Sequence, residues 1–132
     1  MPHHASGARH ARQRLAAELD RLVPPGLRAD AVAVAAELLG NAVRHAAPLP
    51  GNVIRLGLRV RTDDSGTVVE LRVNDGGSSL VPKERTPAPD SPDGRGLAIV
   101  SALAQSWGVE RSPAGQCVWA QLSGPAVAGP GT

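Results

Sequence analysis

The chain has 132 residues and a net charge of +2, which predicts one domain with a single core and no strong attraction to nucleic acid. Trp107 and Trp119 are its only aromatic residues, so it lacks the stacking platform that single-stranded nucleic acid requires. One cysteine (Cys117) and no apolar run near the roughly 20 residues of a membrane span indicate a cytoplasmic protein that contacts neither nucleic acid nor membrane directly.

An N-terminal helix is predicted after a flexible start at residues 1–9. Leucines recur at helical spacing within residues 8–23, a pattern typical of an amphipathic helix that lies on the core. These leucines are Leu15, Leu19 and Leu22. The prolines and glycine at residues 24–26 are expected to end the helix.

A second, longer helix is expected from Asp30, which can cap its start, to Ala46. Glu37 and Asn41 interrupt its apolar pattern four residues apart, so their side chains lie on one side of the helix. Two interpretations stay open from this helix alone. In the first, the pair is a polar stripe that faces solvent. In the second, the amide oxygen of Asn41 binds a divalent cation, and the carboxylate of Glu37 orients or deprotonates a hydroxyl.

Two strands joined by a hairpin turn at residues 63–66 are predicted next. Residues 52–61 and 67–75 alternate apolar and charged side chains, which predicts an antiparallel sheet with one face covered by helices. Because every second residue of a strand points to the same face, Asp75 is expected on the face that carries the apolar residues of the second strand. Asp75 is then either a turn former or a buried acceptor for a ligand donor such as the amino group of adenine.

The segment at residues 78–93 is polar and proline-rich, and loops of this length are often lids. A third helix is expected from about Gly94 to Gln105, with free backbone amides at its start that attract phosphate. A flexible hinge is the alternative interpretation of these glycines. Two further strands are predicted near 107–112 and 116–123, before a disordered tail at residues 124–132.

Three segments share the order and spacing of known sequence boxes: ELLGNAVRHA (37–46), NDGG (74–77) and GRGLAIV (94–100). They resemble the asparagine box and the two glycine boxes of the GHKL (Bergerat-fold) ATPases. The resemblance covers residues 10–123, which we take as one ATP-binding domain. Within that superfamily the chain is most similar to small stand-alone ATP-binding proteins related to anti-sigma-factor serine/threonine kinases.

The resemblance implies an α+β two-layer sandwich, in which about three helices cover one face of a mostly antiparallel, mixed sheet. It implies that ATP lies between the helix layer and the lid, with Glu37 as general base and Asn41 as the Mg²⁺ ligand. Asp75 would read adenine, and the thiol of Cys117 would replace a hydroxyl near the base. The full set of implied cofactor-binding residues is Asn41, Arg44, His45, Asp75, Gly77, Gly94, Arg95, Gly96, Leu97 and Cys117.

For function, the resemblance implies a Mg²⁺-ATP-dependent kinase that phosphorylates a serine or threonine of a protein regulator. That regulator would be of the anti-anti-sigma or sigma-factor kind, and relatives suggest a homodimer. The alternative is a non-catalytic module that binds a transcriptional regulator when ATP or ADP is bound.

Overall fold

The structure is a computed structural model in which residues 4–45, 49, 53–77 and 92–124 are described. These residues form three helices and four strands. In chain order the elements are α1 (Ala5–Asp20), α2 (Pro25–His45), β1 (Arg55–Asp63), β2 (Gly66–Asp75), α3 (Pro92–Leu103), β3 (Ser106–Ser112) and β4 (Gly115–Gly124). The helices pack on one face of the sheet, which confirms the predicted two-layer α+β sandwich.

The four strands lie in the order β1-β2-β4-β3, and every neighbouring pair is antiparallel. The sheet was expected to be mixed but mostly antiparallel, and it is antiparallel throughout its described strands. The predicted hairpin turn joins β1 to β2, because Asp63 pairs with Gly66 across a two-residue loop. The backbone N–H of Ser65 donates to the Asp63 carboxylate at 2.9 Å, and bonds from Ser65 lower the pKa of that carboxyl.

The core lies between the helices and the two central strands, β2 and β4. Alternate residues of these strands are buried against α2, whose apolar side fills the space above them. The strand residues in this layer are Val69, Leu71, Val73, Val118, Ala120 and Leu122. Burial of such aliphatic side chains contributes about 1.5–3 kcal/mol each, so the strand periodicity fixes which face carries the helices.

The opposite face of the sheet is polar. Gln121 donates from its side-chain amide to Glu70 at 3.1 Å, and Arg72 donates to Glu110 at 2.7 Å. The hydrogen bond from Gln121 is the main reason that the pKa of Glu70 lies below its usual value. These cross-strand pairs join β2 to β3 and β4 on the side away from the core.

Helix α1 begins earlier than the sequence predicted. The His4 side chain caps it, since the N–H of Gly7 donates to His4 Nδ1 at 3.2 Å. Residues 5–9, expected to be flexible, therefore belong to the helix. It also ends earlier, at Asp20, so Leu22 lies beyond it and is 41% exposed, whereas Leu15 and Leu19 are buried as predicted.

Helix α2 begins at Pro25, not at Asp30. Proline suits the first helical position because its fixed φ is helical and its missing N–H would have no partner there. The carbonyl of Pro24 accepts from the N–H of Arg28 at 2.9 Å, which closes the first turn. Asp30 consequently lies inside the helix and does not cap it. Arg28 also pairs with Asp20, which joins the end of α1 to the start of α2.

Helix α3 begins at Pro92 and ends at Leu103, two residues before the predicted positions at both ends. The indole N–H of Trp107 donates to Ser101 Oγ at 3.0 Å and ties α3 to β3. Most of the predicted lid (78–91) and the predicted tail from 125 lie outside the described residues. Within the described segments, none of the helices combines the length and apolarity needed to cross a membrane.

Candidate functional site

Asp75 ends β2 on the helix-covered face and is only 1% exposed, which confirms its predicted orientation. Its Oδ1 accepts from the N–H of Gly77 at 2.7 Å, so Asp75 does form an Asx-type turn. Gly77 has a φ of +93°, a conformation that glycine adopts without steric cost. Asp75 therefore forms the turn at the end of β2 and is also buried, so its role in the turn does not exclude a buried acceptor.

Gln116 lies directly opposite Asp75 in the β2–β4 pair, and both residues are buried on the helix side. Gln116 is 5% exposed, and its Oε1 has no hydrogen-bond partner among the described residues. Leaving a buried polar atom unsatisfied costs about 1–3 kcal/mol. Gln116 was not predicted as a site residue, although it continues the buried row formed by Val118 and Ala120.

Cys117, predicted to place a thiol near the base, lies on the opposite face of the sheet from Asp75. It pairs with Asn74, and successive strand residues point to opposite faces. Its thiol therefore lies on the polar face with Arg72 and Glu110. Burial raises the pKa of this thiol, and Arg72 partly offsets that effect. Register makes Gln116 the inward-facing residue at this point of β4.

A cavity of about 390 Å³ opens at this end of the sheet. Three glycines, Gln116 and residues of the end of β3 and the β3–β4 turn line it. The lining residues are Gly76, Gly77, Gly115, Gln116, Arg111, Ser112 and Pro113. Its volume is within the roughly 300–1,000 Å³ of small-molecule pockets.

Gly115 permits the close approach of β4 to the end of β2. A Cβ built on Gly115 would lie 2.1 Å from the Asp75 carbonyl oxygen, and its φ is +141°. A side chain at this position would therefore separate the two strands where Asp75 and Gln116 meet.

A second group of predicted residues lies along α2. Glu37 and Asn41 are half-buried at the border of its apolar side, and Arg44 is exposed one turn further on. The Arg44 guanidinium donates to Asn41 Oδ1 at 3.0 Å and lies over Gly40, where a Cβ would be 2.9 Å from its Nη1. The amide oxygen predicted to bind a cation thus already accepts from a cationic side chain.

The remaining predicted residues are placed by their helices. His45 is the last residue of α2, and residues 94–97 lie in the first two turns of α3. Gly94 and Gly96 are therefore inside the helix, close to the backbone amides that its first turn leaves without helical partners. The same two turns contain Arg95 and Leu97.

No cluster of three or more His, Cys, Asp or Glu side chains in the described residues could hold a metal ion. A Mg²⁺ ion does not need such a cluster, because it keeps several waters and takes one or two protein ligands together with phosphate oxygens. Asn41 offers an oxygen of the required chemistry. The donor set therefore fits a metal that arrives with a phosphorylated ligand.

A family model described as the histidine kinase-like ATPase domain matches residues 1–122 of the chain. This range includes all three helices and the strands as far as Leu122, near the end of β4. No curated protein matches the sequence significantly.

Proposed function

Because the chain belongs to the histidine kinase-like ATPase domain family, we propose that it is an ATP-binding regulatory protein that phosphorylates a serine or threonine of a partner regulator. Domains of this superfamily bind ATP, generally with Mg²⁺. The proposed partner is a regulator of the anti-anti-sigma or sigma-factor kind.

The observation that carries the proposal is the buried carboxylate of Asp75, because the next residues Gly76 and Gly77 and the strand partner Gln116 line the cavity. A carboxylate only accepts hydrogen bonds, so it suits the exocyclic amino group of adenine. Gly77 and Gly115 line the cavity without any side chain of their own, so a flat ring could approach the backbone there. The unsatisfied Gln116 Oε1 in the same wall also supports a polar ligand here.

The phosphates would extend from this cavity toward α3 and the polar edge of α2. The amides of the first turn of α3, with Gly94 and Gly96, suit phosphate oxygens. Asn41 would hold Mg²⁺, which neutralises charge on the phosphates when it is bound. Binding would require Arg44 to release the Asn41 oxygen, and its guanidinium could then pair with phosphate.

In the transfer step, Glu37 accepts the proton of the partner's serine or threonine hydroxyl. The hydroxyl oxygen bonds to the γ-phosphorus, the bond from that phosphorus to the bridging oxygen breaks, and ADP leaves. Such transfer depends mainly on positioning and charge neutralisation. A half-buried carboxylate one helical turn from the proposed metal ligand suits this role.

The second candidate function is a binding module without transfer. The Arg44–Asn41 hydrogen bond favours it, because that bond satisfies the amide oxygen without any metal. In this case nucleotide binding would order a surface that a regulator recognises.

Phosphotransfer to purified candidate regulators from the source organism separates the two functions. The protein is mixed with Mg²⁺ and ATP labelled at the γ-phosphate, and phosphoserine and phosphothreonine are located by mass spectrometry. We expect Glu37→Gln to lower the transfer rate by roughly 10²–10⁴-fold, the usual contribution of a general base. ATP affinity in calorimetry should change by less than about twofold.

Glu18→Gln is the matched control, since it removes the same charge from an exposed position on α1. It should transfer phosphate like the wild type. Equal loss of binding and transfer in Glu37→Gln would show that Glu37 is structural or metal-linked. Nucleotide-dependent binding of a regulator by the wild type without any transfer would support the binding module.

A further inference from the structure

Strand β1 lies at one edge of the sheet. Within the described residues it pairs with β2 alone, since the strand order is β1-β2-β4-β3. In an antiparallel pair, alternate residues direct their backbone N–H and C=O groups away from the neighbouring strand. β1 is nine residues long, so it offers several such groups to an extended segment that adds beside it.

The helix-covered side of β1 is apolar and only partly covered. Leu56, Leu58 and Val60 pack against the core on this side, and each of them is half-buried. Helix α2 packs over the two central strands, β2 and β4. An added strand would extend this apolar layer, because alternate side chains of that strand would lie beside these three residues.

The other side of β1 carries three exposed arginines, which we call the arginine row: Arg55, Arg59 and Arg61. Only Arg59 lies opposite an acid, since it pairs with Glu70, whereas the other two pair with uncharged residues of β2. Asp63 ends the strand on the same side, and its carboxylate accepts hydrogen bonds from Ser65 in the hairpin turn. The arginine row therefore keeps a net positive charge.

The opposite edge strand, β3, has a different character. On its polar side Glu110 accepts from Arg72, and Trp119 lies against Gly108. This side of β3 carries an acid and no basic residue. An acidic segment is therefore attracted to the edge at β1 and repelled at β3.

We propose that the β1 edge binds an extended segment of a partner protein in which apolar and acidic residues alternate. The apolar side chains of the segment lie beside Leu56, Leu58 and Val60, and its acidic side chains lie beside the arginine row. Backbone hydrogen bonds supply affinity in this mode of recognition, and the alternating side chains supply specificity. The inference does not depend on the proposed function, because the described lining of the cavity contains no residue of β1.

A second copy of the chain suits this edge less well than an acidic segment does. Pairing through β1, with the helices of both copies on one side of the joined sheet, would place two arginine rows next to each other. Like charges that face each other across strands destabilise a sheet, and charged edge strands commonly prevent self-association in this way. The same charges attract an acidic segment, so the arginine row selects between the two occupants.

Two synthetic peptides, each nine residues long like β1, test the proposal. One alternates valine and glutamate, and the other has the same composition in an order without alternation. Both carry a fluorescent label, and anisotropy measures their binding to the full chain without nucleotide. We expect the alternating peptide to bind roughly tenfold more tightly, because only its acidic side chains all lie on the side of the arginine row.

Arg55→Glu/Arg61→Glu reverses the charge at the two positions of the row that face uncharged partners, so no cross-strand ion pair is lost. The variant should bind the alternating glutamate peptide roughly tenfold more weakly and should prefer a peptide that alternates valine and lysine. Arg12→Glu/Arg14→Glu makes the same change in charge at exposed positions of α1 and should bind like the wild type. If the β1 variant does not fold, Arg61→Gln is compared with Arg14→Gln in the same way.

Nuclear magnetic resonance then locates the peptide on ¹⁵N-labelled protein. The largest amide shifts should lie in β1. Equal affinity for the two glutamate peptides, or the largest shifts in β3, would overturn the proposal. Displacement of the alternating peptide by single-stranded RNA would also overturn it, because the arginine row would then be a general surface for anions.

The oligomeric state and ATP binding complete the test. A dimer that Arg55→Glu/Arg61→Glu dissociates would overturn the proposal, since a second copy would then occupy the edge. A wild-type protein that binds the alternating peptide but no ATP would refute the proposed function and leave this inference intact.

Discussion

Asp75 combines a structural and a proposed binding role within one side chain. Its Oδ1 accepts from the N–H of Gly77 and so sets the turn at the end of β2. The same carboxylate is buried, and Asp75 pairs with Gln116, which lines the cavity. A substitution that keeps the turn but alters the other oxygen can separate the two roles.

Asp75→Asn makes that separation, because asparagine retains one oxygen for the Gly77 N–H. Its amide nitrogen would face the amino group of adenine as a second donor. Loss of a charge-assisted hydrogen bond costs about 1.5–3 kcal/mol, so ATP affinity should fall roughly 10–150-fold in calorimetry. The melting temperature should change far less than after Asp75→Ala.

Asp64→Asn is the control for Asp75→Asn, since Asp64 is exposed in the hairpin turn. It should bind ATP with wild-type affinity. An Asp75→Asn protein that binds ATP as tightly as the wild type would contradict the adenine role.

At the scale of elements, the site depends on how closely the start of β4 approaches the end of β2. Gly115 makes this approach possible, with its positive φ and the Asp75 carbonyl directly beside it. Gly26 provides a comparison, because it lies in the first turn of α2 with no atom within 4 Å of a Cβ built there.

Gly115→Ala should therefore destabilise the protein by about 2 kcal/mol or more, from backbone strain and steric overlap together. Gly26→Ala should be neutral or stabilising by up to about 1 kcal/mol, because alanine favours helix. Urea denaturation measures both changes. Similar effects from the two substitutions would show that the β2–β4 contact at Gly115 is not as tight as the structure indicates.

At the scale of the whole molecule, nucleotide binding should be linked to folding. Asp75 and Gln116 are distant in the sequence and meet only when β2 pairs with β4, so the unfolded chain has no such site. A ligand that binds only the folded state stabilises it by about 2.7 kcal/mol at one hundred times its dissociation constant.

Saturating ATP with Mg²⁺ should consequently raise the melting temperature by several degrees. GTP at the same concentration should raise it much less, because its base has a carbonyl where adenine has the amino group. Scanning calorimetry with each nucleotide makes the comparison. A melting temperature that no adenine nucleotide changes would contradict both the site and the proposed function.

The sequence alone determined the elements and their faces. Alternating residues predicted β2 and the inward direction of Asp75, and the composition of residues 63–66 predicted the hairpin turn. Helical spacing predicted the buried Leu15 and Leu19. These features were predictable because the apolar side chains of a single segment repeat every 2 residues in a strand and every 3.6 residues in a helix. The three sequence boxes, taken together, also pointed to the family that the chain belongs to.

The tertiary structure decided which residues meet and where the helices end. The register of β2 against β4 places Gln116, and not Cys117, opposite Asp75. Two helices begin earlier than predicted, because the His4 side chain caps α1 and a hydrogen bond to the Pro24 carbonyl closes the first turn of α2 at Pro25. Register and capping depend on atoms contributed by other segments or by backbone geometry, which the periodicity of a single segment does not contain.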